Sequence, residues 1–252
     1  MHRFANPARF LRIARWLTPL LLLSGVAVAG AALVWGFFHV PPDRLMGETV
    51  RIMFIHVPAA WLGMAGWMAI AVASFVELVW RHPLAGVAAR ASAIPGAVFT
   101  AICLVTGSIW GRPTWGTWWV WDGRLTSMLV LLFLYLAYKA LADASSRDGG
   151  NGRVAAVFGL VGAANIPVIH YSVLWWNSLH QPPSITMGVL GGKSAIDAAF
   201  LWPLLGATIG FSLILGGVVL ARMRAILADT QAEARLRRKA MAEPATGEAA
   251  NA

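Results

Sequence analysis

Six long apolar stretches constrain this chain more than any other feature. They run at 17–38, 52–80, 91–110, 125–142, 154–176 and 198–221. Each is long enough, or nearly so, to cross a hydrocarbon core, which takes about 20 helical residues. The second is long and must tilt or protrude, and the fourth is short. Only 12% of residues are charged, against about 25% in a soluble domain. The expected fold is an all-α integral membrane protein with six transmembrane helices. The expected organisation is a membrane domain over 1–222 and a basic tail over 223–252, helical at first and disordered over its last ten residues.

The first stretch follows Arg3, Arg9, Arg12 and Arg15 and so resembles a signal peptide. Its run is longer than the usual apolar region of about 7–15 residues, which predicts a retained helix.

Lys and Arg counts in alternate loops set the orientation. Fifteen fall on the side holding both termini and the 81–90 and 139–153 loops. Five fall on the other side: Arg44, Arg51, Arg112, Arg124 and Lys193. Both termini are therefore expected in the cytoplasm. The net charge of +9 reads as anchoring to anionic lipid, not as a nucleic-acid surface.

One outward loop is unusual. The stretch at 107–127, GSIWGRPTWGTWWVWDGRLTS, holds Trp110, Trp115, Trp118, Trp119 and Trp121, five of the thirteen tryptophans. An aromatic belt at the membrane interface accounts for Trp35, Trp61, Trp80 and Trp202, but poorly for this density. Gly111 and Pro113 are expected to break the third span. A short interfacial helix over 113–121 would then place Trp115, Trp118, Trp119 and Asp122 on one face. Asp122 also suits the N-cap of the fourth span, and the two roles are compatible.

Histidines from two other spans share this side. His56 lies in RIMFIHVPAAW at the outer start of the second span, and His180 in YSVLWWNSLHQPP past the end of the fifth. Pro58 is tolerated near a helix start, whereas Pro182 and Pro183 stop any helix. Two neutral imidazoles can hold a haem iron from opposite faces. Flat indoles suit a porphyrin, and Arg112, Arg124 and Arg51 suit its propionates. His170 is a deeper alternative ligand, and His39 reads as a loop residue. Histidines His2 and His82 fall on the cytoplasmic side. Glu77, near the inner end of the second span, is expected to snorkel or to pair with Arg81 at i+4.

The segments WGRPTWGTWWVWD, FIHVPAAW and WWNSLHQ, in this order among six spans, resemble the CcmC family. These are the WWD-motif haem-handling subunits of bacterial cytochrome c maturation, and the likeness covers roughly 16–222. The resemblance implies an inner-membrane protein that holds haem b, non-covalently and transiently, on the periplasmic face. It implies presentation of haem to the chaperone CcmE, with stabilisation of a vinyl–histidine attachment there, and association with CcmA, CcmB and CcmD. Carried over residue by residue, His56 and His180 become axial ligands. Trp115, Trp118, Trp119, Trp121 and Asp122 become the haem platform, shaped by Trp110 and Gly111.

Other chemistry is thinly represented. Cys103 is the single cysteine, so neither an internal disulfide nor a CxxCH haem attachment is possible. GVLGGKS at 188–194 lacks the first glycine of a phosphate loop, since Met187 stands there. Any ATPase activity is then a partner's, and the chain reads as a delivery factor more than as an enzyme. Two other classes compete. A permease would need polar or discontinuous helices at matching positions in two halves; few are found, though Asn165-Ile166-Pro167 interrupts the fifth span. An electron-transfer cytochrome b would need histidine pairs facing across the bundle at matching depth.

Overall fold

A computed structural model of the protein describes residues 6–147, 152–176, 178–180 and 196–242. It is helical, in the order α1 (Pro7–Phe38), a 3₁₀ turn (Glu48–Ile52), α2 (Met53–Trp80), α3 (Ala85–Trp115), α4 (Gly123–Arg147), α5 (Arg153–Gly162), α6 (Asn165–Trp175) and α7 (Ala198–Ala242). Six stretches are long and apolar enough to cross a membrane, the 3₁₀ turn joining α2 and the pair α5–α6 forming one. The protein is an all-α multi-pass membrane protein. Asp43 and Gly47 make an isolated bridge in the α1–α2 loop, and among the described residues no strand forms.

Small residues decide how the helices meet. Lipid is as apolar as leucine, so helices in a bilayer associate by close packing. The α1–α7 pair makes the most extensive contact. Buried Ala14, Thr18, Gly25, Ala29, Ala32 and Gly36 form one stripe along α1. Gly25 lies so near α7 that a Cβ there would stand 2.8 Å from the Ile214 backbone nitrogen. The opposite face, with Trp16, Leu20, Leu23 and Phe38, is exposed and suits lipid. In the central core, the fully buried Trp67 of α2 meets Tyr135 and Tyr138 of α4 and Phe158 of α5 edge to face. The Tyr135 hydroxyl donates to the Gly63 carbonyl at 2.6 Å.

The helices differ in detail from the sequence expectation. The third span does not break at Gly111 or Pro113, and no interfacial helix forms over 113–121. Helix α3 continues through both residues, with the Thr114 hydroxyl donating to the Trp110 carbonyl. It ends at Gly116, whose φ of 79° is the left-handed conformation that glycine adopts freely. The Arg112 guanidinium donates to the Gly116 carbonyl. Chain beyond Gly116 is irregular up to α4.

The fifth span is interrupted at Ala163–Ala164, just before Pro167, which has no N–H to give. The Asn165 amide ties the break to the Ser127 carbonyl of α4. Helix α7 passes Arg222 without a break and runs 45 residues, about 68 Å. Glu77 does not reach Arg81. Its carboxyl group lies over Gly86 of α3 and interacts electrostatically with Arg90, while Arg81 turns left-handed to end α2. The terminal ten residues, His2, Arg3, Pro182, Pro183 and the 188–194 segment lie outside the described residues.

Candidate functional site

The site is built around the C-terminal end of α3. His56 is the fourth residue of α2, and its ring meets Trp110 of α3 edge to face at 5.7 Å. Its Nδ1 lies 3.0 Å from the Thr106 hydroxyl. Room for the ring comes from Gly107, where a Cβ would stand 2.9 Å from His56 Cε1. Five residues on, and about 7.5 Å further along the axis, Trp115 meets the His180 ring at 4.7 Å. Thus one helix end holds two imidazoles that arrive from different elements.

Asp122 organises the second histidine. It is buried at 8% exposure and its two oxygens divide their work. Oδ1 accepts from the Leu125 N–H at 2.7 Å and so caps α4. Oδ2 accepts from the Ser178 hydroxyl at 2.6 Å and faces His180 Nδ1 at 2.9 Å. Ser178 in turn accepts the His180 backbone N–H at 3.1 Å. The expected cap is therefore present, and the same side chain touches a candidate ligand.

Burial works to raise the Asp122 carboxyl. Hydrogen bonds from Ser178, Leu125 and His180 outweigh it and hold the group below the usual carboxylate range. Burial also lowers His180, and Asp122 opposes this only in part. The pair is thus a carboxylate facing a neutral imidazole. A carboxylate accepts only, so Nδ1 carries the proton and Nε2 keeps its lone pair.

The remaining tryptophans lie in the irregular segment. Trp118 and Trp121 are exposed, at 58% and 75%. Trp119 is half-buried and meets Trp121 at 5.5 Å. The Ser108 hydroxyl donates to the Trp118 carbonyl, which pins the segment back on α3. Gly111 is buried beside Trp115 and the Thr117 carbonyl. The indole N–H groups of Trp110 and Trp119 are buried without an acceptor. An unpaired buried donor is costly, so both suit an incoming acceptor.

Of the three arginines, Arg124 lies closest to this chemistry. It interacts electrostatically with Asp122 and with both histidines, and donates to the His170 carbonyl at 3.4 Å. Arg51 is engaged with Glu48 at 2.9 Å and the Val40 carbonyl at 3.1 Å. Arg112 is exposed at the end of α3. The His170 ring packs on Tyr171, and His39 ends α1. Sequence reasoning passed over Thr106, Gly107 and Ser178. Ser178 stood two residues from His180, whereas nothing in an apolar span singled out Thr106.

Residues 1–238 match the sequence profile of the CcmC family, Heme exporter protein C. The Heme exporter protein C of Bradyrhizobium diazoefficiens is 49% identical over 87% of this chain and 82% of its own length. That of Escherichia coli K12 is 45% identical over 90% of both chains. That of Rhodobacter capsulatus is 36% identical over 95% of this chain and 98% of its own. Near full-length matches of this kind establish that the chain belongs to the CcmC (Heme exporter protein C) family.

Proposed function

We propose that the protein binds haem b between His56 and His180 at the periplasmic face of the bacterial inner membrane. It then presents haem to the chaperone CcmE, in association with CcmA, CcmB and CcmD. Membership of a haem exporter family implies haem handling for cytochrome c maturation. The observation that carries the finer reading is the His180–Asp122 pair, 2.9 Å apart, which puts the proton on Nδ1 and leaves Nε2 its lone pair. The surroundings fit the group. Tryptophans flank both histidines, and the two indole donors without acceptors suit carboxylates such as the propionates. Arg124, which interacts electrostatically with Asp122, suits the same carboxylates. When bound, haem supplies the iron and the reactive edge that a chaperone takes. This chain's own residues hold, orient and expose it.

The exposed faces of Trp118 and Trp121 support an open platform that a partner can approach. A charge bias of fifteen to five supports the outward, periplasmic placement and a cytoplasmic tail after Arg222. The permease reading gains little. Among the described helices, α5–α6 is the one span that breaks, whereas a transporter site needs matching breaks in two halves.

The test is an absorption spectrum and haem occupancy for His56→Ala and His180→Ala, purified in detergent. Both variants should lose the low-spin spectrum of the wild type. Unchanged spectra and occupancy in both would sink the ligand assignment. Loading of co-expressed CcmE, assayed separately, tests the presenting role.

A further inference from the structure

His56 has a supporting partner of its own, different in kind from that of His180. The Thr106 hydroxyl has one proton to donate and lone pairs to accept with. It lies 2.6 Å from the Ile102 carbonyl and 3.2 Å from that of Cys103, the i−4 and i−3 groups of its own helix. Both are pure acceptors, so the hydroxyl proton is committed to them. The 3.0 Å contact with His56 Nδ1 must then be one in which Thr106 accepts. The Cys103 carbonyl, a further acceptor, lies beside the imidazole as well. Apart from the Trp110 indole N–H, the polar groups that the ring meets on α3 ask it for a proton.

We infer that Thr106 is a positioning residue for His56: it accepts the Nδ1 proton, fixes the tautomer and leaves Nε2 free to ligate. This rests on the haem reading only for the last step. The tautomer follows from donors and acceptors already in the chain. The two ligands are then built alike in tautomer but unlike in strength. A carboxylate acceptor raises the basicity of a ligating imidazole more than a hydroxyl does. His180, backed by Asp122, is the stronger donor to iron, and His56, backed by Thr106, the weaker. Gly107 completes the arrangement, because a side chain there would push the ring off Thr106.

The experiment is nitrogen-15 NMR of histidine-labelled protein without haem, with His56 assigned by its loss in His56→Gln. Wild type and Thr106→Ser should show His56 protonated at Nδ1. In Thr106→Val, which keeps the branched shape, the signal should shift toward the Nε2–H form. A wild-type ring protonated at Nε2 would overturn the inference, and that measurement stands even where Thr106→Val fails to fold. So would an unshifted signal in Thr106→Val, since the Cys103 carbonyl would then suffice. Haem titration separates the two layers. About tenfold weaker binding in Thr106→Val, restored in Thr106→Ser, supports both. A tautomer that shifts as expected in a protein that binds no haem leaves Thr106 its role and removes the haem reading.

Discussion

Replacing Asp122 by Asn changes almost no volume and separates two jobs that one carboxylate performs. The amide oxygen can still accept the Leu125 N–H at 2.7 Å, so the cap on α4 survives. The amide nitrogen then replaces Oδ2, opposite Ser178 and His180 Nδ1. That nitrogen only donates. His180 must therefore accept at Nδ1 and carry its proton on Nε2, the nitrogen that would meet iron. The reverse amide orientation sets two donors against each other at the cap. Loss of such a supporting carboxylate weakens metal binding about 10–100-fold. That range is about 1.4–2.8 kcal/mol. Loss of the cap, as in Asp122→Ala, costs a further 0.5–2 kcal/mol or so of folding stability. Haem titration followed by absorbance, together with thermal unfolding of the haem-free protein, reads both quantities. Asp122→Asn should lose affinity with only a small fall in unfolding temperature, and Asp122→Ala should lose affinity with a larger one. Haem affinity in Asp122→Asn within twofold of wild type would refute the tautomer argument.

Three further outcomes are expected. Trp119→Phe keeps a ring but removes a buried N–H that has no acceptor. Haem affinity should fall about tenfold, as for a lost hydrogen bond to a charged group, with no difference for haem dimethyl ester. Gly25→Ala puts a methyl 2.8 Å from the Ile214 backbone nitrogen and 2.9 Å from the Gly210 carbonyl. It should destabilise the α1–α7 pair by about 1–3 kcal/mol, read as a lower aggregation temperature in detergent. Because Cys103 is buried, single added cysteines report orientation cleanly. An impermeant maleimide added to spheroplasts should label Trp121→Cys and spare Asp229→Cys, and the opposite pattern would reverse the topology.

The number and place of the spans were legible in the chain alone. Apolar length is a one-dimensional property, and lipid enforces it locally. The motif order also stood in the sequence, and so did the pairing of His56 with His180 as candidate ligands. Local signals misled at α3. Gly111 and Pro113 read as a break, but the helix continues through both, and Gly116 supplied the stop. The double use of Asp122, as a cap compatible with a site role, was legible in the sequence, but its partners Ser178 and His180, 56 and 58 residues away, were not. The commitment of Thr106 to His56, 50 residues off, was equally hidden. Composition and periodicity tell a helix where to run and which face meets lipid. Which proton sits on which imidazole nitrogen depends on acceptors from other helices, and only their packing brings those within 3 Å or so.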